Sequence, residues 1–242
     1  MGDPGYVAAA TASSVQDSVT ELEIEIPDTA SAGDRLLLAV CSAPATVTDD
    51  PPGWTRLLDT SAPPGSLTAS GGRMLIWAAE AGSQSEVDPG ATVTVGLSGA
   101  TRAVAGVVVY GPCDVDTPAV GTVSTMSATP PYSRTAPTAT ASDIARVVSI
   151  YGINGNDGSN DSVSWTPDAA TTERVDVASS APNFRNVTLM VADEQAGPGT
   201  VGGRTATASH RTQACAVTIV LSSAVDRPTA TASTPTPTVA AG

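Results

Sequence analysis

The sequence predicts an all-β protein: an antiparallel β-sandwich, jelly-roll or concanavalin-like, built from two sequence-related halves. Three observations predict it. Thr, Val, Ser, Gly and Pro abound, while helix formers other than Ala are scarce, a balance that favours strands and turns. Apolar and alternating runs of strand length are separated throughout by Gly, Pro and Asp clusters. Four blocks also recur in the same order. Gly33-Asp34-Arg35-Leu36-Leu37-Leu38 is answered by Ser142-Asp143-Ile144-Ala145-Arg146-Val147. Gly53-Trp54-Thr55-Arg56 is answered by Trp165-Thr166 with Glu173-Arg174-Val175-Asp176. Met74-Leu75-Ile76-Trp77 is answered by Thr188-Leu189-Met190-Val191, and Thr101 to Val109 by Thr212 to Val220. The spacing, roughly 110 residues, is far longer than a solenoid or propeller period, so two halves of one body fit better than an array.

The elements follow in order. Residues 1–18 are small and polar and read as an N-terminal arm. Copy one spans 19–111. Val19 to Pro27 alternates, with Leu22, Ile24 and Ile26 facing inward and Glu21, Glu23 and Glu25 facing water. Leu36 to Ser42 and Met74 to Ala79 are near-continuous apolar runs, hence central strands. Trp54 to Asp59, Thr92 to Leu97 and Arg102 to Tyr110 complete the copy. Residues 112–133 form a Ser/Thr/Pro connector. Copy two spans 134–224, with strands at Ala136 to Ala141, Ile144 to Tyr151, Glu173 to Val177, Asn186 to Ala192, Thr205 to Ser209 and Thr212 to Ser222. About six strands per copy, roughly twelve in all, are expected. Residues 225–242, with Arg227-Pro228 near their start, form a Thr/Pro/Ala tail that collapses poorly by itself.

Composition narrows the function. Of the 242 residues, 41% are hydrophobic but only 3% aromatic, so Ala, Val, Leu and Ile fill a thin, flat core. The net charge of −13 repels nucleic acid and anionic membranes, and neither is an expected partner. All 11 basic residues are Arg, which points to a GC-rich genome. Three widely spaced cysteines make no disulfide framework. Cys41 and Cys215 read as small buried hydrophobes, and Cys113 as partly exposed. The N-terminus carries no apolar segment of signal-peptide type, and no run is long enough to span a membrane as a helix.

Several of these blocks resemble a family of β-sandwich domains found in virion proteins of tailed phages, notably those infecting actinobacteria. The residues that carry the resemblance are Ala32-Gly33-Asp34-Arg35-Leu36-Leu37-Leu38-Ala39, Pro52-Gly53-Trp54-Thr55-Arg56-Leu57, Met74 to Ala79 and Ala103 to Gly111, with Ser142 to Ile150 and Trp165 to Val177 echoing them. The similarity covers about residues 19–224. It implies a non-enzymatic structural protein on the virion exterior, a minor tail or capsid decoration protein. The implied partners are other virion proteins and further copies of the chain, and such proteins leave the cell by lysis without a leader. No cofactor is expected.

The singled-out residues read first as structure. Asp34 and Asp143 bond nearby backbone N–H groups in turns, and Trp54, Trp77 and Trp165 pack a sandwich short of aromatics. Arg227 and Pro228 are placed with them as assembly residues. Three chemical alternatives stand beside this reading. His210, the one histidine, forms a triad on paper with Ser209 and Asp176 or Asp226, but no nucleophile elbow surrounds the serine. Glu80 and Glu194, each just past an equivalent strand, form a candidate glycosidase pair. Asn154, Asn156, Asp157 and Asp161 offer oxygen ligands for Ca²⁺ in a polar loop without EF-hand spacing. That loop is also where a carbohydrate-binding module would meet host cell-surface glycan.

Overall fold

The computed structural model describes residues 4–14, 19–43, 47–61, 73–116, 118–120, 124–125, 130–154, 163–179, 187–210 and 213–223. Among these there is no α-helix, one 3₁₀ turn at Ser85–Val87, and eighteen strands. The first half supplies β1 (Tyr6–Ser13), β2 (Val19–Glu25), β3 (Arg35–Ala43), β4 (Thr55–Ser61), β5 (Arg73–Glu80) and β6 (Thr92–Tyr110). The second opens with the short β7 (Cys113–Val115), β8 (Ala119–Val120), β9 (Ser124–Thr125), β10 (Tyr132–Thr135) and β11 (Thr138–Ala141). It continues with β12 (Ala145–Asn154), β13 (Trp165–Thr166), β14 (Thr172–Ala178), β15 (Val187–Ala196), β16 (Gly199–Gly202), β17 (Thr205–Ala208) and β18 (Gln213–Ser223). The count exceeds twelve because the connector and the outer layer each break into short strands.

Every described pairing is antiparallel, and two large sheets dominate. The first runs β1-β6-β3-β5-β4, and the second runs β14-β15-β12-β18 with β7, β8 and β9 in file along the far side of β18. The all-β antiparallel sandwich expected from the sequence is therefore the fold observed. The segments read as arm and connector contribute edge strands: β1 pairs with β6, and β7 to β9 pair with β18. Small residues suit these edges, since Ala8, Ala10 and Ala12 pack on one core and Ala9 on another.

The sheets stack face to face. Leu37, Ala39, Cys41, Met74, Ile76 and Val108 of the first meet Val148, Ile150, Leu189, Val217 and Ile219 of the second in one buried core. Each sheet also buries its other face against its own half. The long β6 pairs with β2 through its N-terminal part and with β3 through its C-terminal part, which curls the first half into a half-barrel. Leu22, Ile24, Leu38, Trp77 and Val95 fill it, and Glu21, Glu23 and Glu25 stay exposed as the alternation requires. On the outer face of the second sheet, β10-β17-β13 and β11-β16 cover Tyr151, Met190, Ala192 and Val147. Burial on both faces is why β3, β5, β12, β15 and β18 read as apolar runs rather than alternating ones.

The two sheets share one strand order. Reading β1-β6-β3-β5-β4 beside β7-β18-β12-β15-β14 matches edge with edge and centre with centre. The ladders agree in detail. Tyr6, Tyr110, Arg35 and Glu80 form one cross-strand row, and Val115, Leu221, Arg146 and Gln195 form its counterpart. Each outer strand carries a bulge at the same place, Leu57 in β4 and Arg174 in β14. In the stack β1 lies against β14, β6 against β15 and β3 against β12, the order a two-fold axis through the centre produces.

The approach of the sheets is close enough to need glycine. A Cβ on Gly152 of β12 would lie 2.5 Å from Met74 Cε and collide with Cys41 Sγ. All three cysteines are buried in the inter-sheet core, and none is in a disulfide. Cys113, expected to be partly exposed, is only 2% exposed, because β7 folds back onto β18 and turns its side chain inward.

Candidate functional site

At the two seams where sheet edges meet lie a buried charge cluster and a groove. At the seam of β1 and β14, the carboxylate of Asp193 has no exposed surface. Arg174 donates to it twice, from Nε at 2.9 Å and Nη2 at 3.0 Å, and Arg146 Nη1 lies at 3.5 Å. The Tyr110 hydroxyl donates to it at 3.1 Å. The Arg174 guanidinium lies 4.0 Å over the ring of Tyr6, which meets Tyr110 edge-on at 6.3 Å. Burial, and then the Asp193 charge, pushes the Tyr110 hydroxyl well above its ordinary pKa, while the bonds to Asp193 hold Arg174 more firmly protonated. Residues of both halves are tied here, so the cluster is a clasp. A buried acid between two guanidiniums satisfies the demand that buried charge be paired.

The opposite seam, between β4 and β7, is open. A groove of about 420 Å³ is lined there by Arg35, Leu57, Ala78, Glu80, Asp114 and Val115, among others. The ladders match these positions to the clasp one by one. Val115 stands where Tyr6 does, Arg35 where Arg146 does, Leu57 where Arg174 does, and Ala78 where Asp193 does. Leu221 stands in the place of Tyr110. One contact is preserved. Arg146 Nε donates to the Pro4 carbonyl at 3.4 Å, and Arg35 Nε donates to the Cys113 carbonyl at 3.0 Å. Each arginine thus reaches across to the edge strand of the other half.

The candidates named from sequence fall as follows. Glu80 and Glu194 do not face one another. Glu80 follows the inward residues Met74, Ile76 and Ala78, whereas Glu194 follows the outward residues Met190 and Ala192. Their equivalence is corrected by the two-residue period of the strand. The acid of β15 in phase with Glu80 is Asp193. Glu194 is held by Arg204 through two bonds of 2.7 and 2.5 Å, and Glu80 lies 4.0 Å from Arg35.

Ser209 Oγ and His210 Nδ1 are 3.0 Å apart, but Ser209 Oγ also accepts from Ser164 N–H, and Asp176 accepts from Trp165 N–H. Burial raises the Asp176 carboxyl. Asp226 lies outside the described residues. Asn154 ends β12, while Asn156, Asp157 and Asp161 lie outside the described residues, as do Arg227 and Pro228. Among the described residues no group of three or more His, Cys, Asp or Glu could hold a metal ion.

Of the residues named for packing and turns, Asp34, Trp54, Trp77, Asp143 and Trp165 lie among the described residues. Asp34 is buried and accepts from Ser31 N–H at 2.8 Å, beside Gly33 at φ +93°. Asp143 is exposed and accepts from Ile144 N–H at 2.7 Å. Trp54, Trp77 and Trp165 are all buried in the outer cores. Trp77 Nε1 donates to Asp50 at 2.6 Å, which with Arg56 holds that carboxyl below the usual range. Trp165 Nε1 donates to Thr188 at 3.1 Å, and Trp54 Nε1 is buried with no hydrogen-bond partner among the described residues.

The clasp was missed in the sequence, although a signal exists. Asp193 stands in phase with Val187, Leu189 and Val191, so a carboxylate occupies an inward position of a central strand. Comparison with protein-family models, with curated proteins and with solved structures finds no match to this chain.

Proposed function

We propose that this chain is a non-enzymatic structural protein on the exterior of a tailed-phage particle, a minor tail component or a capsid decoration, held by contacts with neighbouring particle proteins. Its task is geometric: it presents a rigid β body at a fixed place. The observation that carries this reading is the double burial of both large sheets, locked at one seam by the Asp193 clasp. Two acidic residues of β15 are engaged in cross-links, Asp193 to Arg174 and Glu194 to Arg204. Bulges in β1, β4 and β14 blunt the sheet edges against uncontrolled pairing at high copy number. The resemblance of the strand and turn motifs to virion β-sandwich domains supports the location, and the net charge of −13 suits a crowded, soluble component.

Imaging purified particles at side-chain resolution tests the proposal. Density on the capsid lattice is expected for a decoration, and density at the tail for a minor tail protein. Absence of the chain from the particle would overturn the reading and favour a glycan-binding module.

A further inference from the structure

The groove at the second seam has the frame of the clasp without its filling. Tyr6, Tyr110, Arg174 and Asp193 are matched there by Val115, Leu221, Leu57 and Ala78. Two phenol rings, a guanidinium and a carboxylate are replaced by shorter apolar groups, and about 420 Å³ is left open. We infer that this groove is a docking site for an aromatic side chain carried on a basic segment of a partner protein. The inference deepens the scaffold reading by naming where a partner sits, and rests on it to that extent.

The occupant follows from the lining, which is mixed. Leu57, Ala78 and Val115 are apolar and buried or half-buried, while Thr55 and Ser83 add hydroxyls beside the charged Arg35, Glu80 and Asp114, so the inserted group is a ring with a polar edge, as in tyrosine. At the matching position of the clasp the molecule itself places the ring of Tyr6 under a guanidinium. The exposed acids Glu80 and Asp114 flank the groove. The one cation of the lining, Arg35, is already drawn to the Cys113 carbonyl and to Glu80. A cation beside the ring therefore meets complementary charge, and the net charge of −13 steers it inward. The bulge at Leu57 breaks the β4 edge, so the partner engages by side-chain insertion rather than by adding a strand. An aromatic anchor with a charged rim is the usual make-up of a strong contact.

The test is an amide NMR titration of the full chain with two probes, acetyl-Arg-Tyr-Arg-amide and acetyl-Arg-Ala-Arg-amide. The tyrosine peptide is expected to shift the amides of Leu57, Ala78, Glu80, Asp114 and Val115, and to bind about tenfold more tightly than the alanine peptide. Val115→Tyr, which supplies the clasp's own ring, should abolish the difference. Should that variant fold poorly, the exposed pair Glu80→Gln with Asp114→Asn should weaken binding about threefold and flatten its salt dependence. Equal binding of the two peptides, shifts centred elsewhere, or no saturable binding at millimolar peptide would overturn the proposal. Peptide binding by a chain that is absent from particles would overturn the particle reading and leave the groove standing.

Discussion

At one seam Tyr6, Arg146, Arg174 and Asp193 close β1 onto β14; at the other, Val115, Arg35, Leu57 and Ala78 stand in the same ladder positions between β7 and β4. Backbone order, bulge position and the arginine-to-carbonyl contact are common to both. The side chains differ, and the edge strand is the eight-residue β1 at one seam and the three-residue β7 at the other. The sheets therefore need no filled seam to adopt this arrangement, because the shared core of Leu37, Ile76, Val148, Leu189 and Ile219 already fixes it. One seam adds a buried polar lock, and the other is free to carry a site.

The largest effect that separates the seams is expected from Asp193→Ala. It removes the buried carboxylate that Arg174 binds twice and Arg146 faces, and the loss, read by urea unfolding, should be about 3–5 kcal/mol. A loss below about 1 kcal/mol would mean that the clasp behaves as a surface pair. Alkaline pH should sharpen the contrast. Burial raises Tyr110 and lifts Tyr151 to about 12. A hydroxyl whose folded pKa is raised contributes stability that is fully present below its unfolded value, near 10, and lost as pH rises through the folded value. Unfolding midpoints should fall between about pH 10 and pH 12, and less steeply in Tyr110→Phe, since phenylalanine at that position has no hydroxyl proton to lose. Identical pH profiles for the two proteins would refute the assignment.

Smaller effects test the equivalence of the halves. Trp165→Phe should cost about 1–2 kcal/mol more than Trp54→Phe, because it strands the buried Thr188 hydroxyl while Trp54 Nε1 has no partner to lose. Arg35→Ala should cost about 1 kcal/mol, the worth of one hydrogen bond to a carbonyl and some packing. Arg146→Ala should cost more, since it also strips a cation from Asp193. Equal losses at the two arginines would remove the distinction between a locked seam and an open one.

Much of this was legible in the chain. The β2 alternation placed Leu22, Ile24 and Ile26 inside, and the apolar runs of β3 and β5 announced central strands. The turn at Gly33-Asp34 formed as its residues require. The edge strands were not legible, because the alanines of β1 and the three-residue β7 carry little hydrophobic signal of their own and gain structure by pairing with β6 and β18. The candidate acids were half legible. Counting by twos along β15 separates Glu194 from Glu80 and points to Asp193, but nothing local reports which face of a doubly buried strand meets the other sheet.

The sequence by itself determined the class of fold, the strands that form its centre and the residues that turn between them. These follow from side-chain size, β-branching and period, which act within a few residues. Only the tertiary structure decided that the halves stack through one core, that Asp193 is buried against Tyr110 and Arg174, and that Leu57, Ala78 and Val115 leave a groove. Asp193 and Tyr110 are 83 residues apart in the chain. Their meeting depends on the register of two sheets, which is set by the whole packed interface and by no single segment.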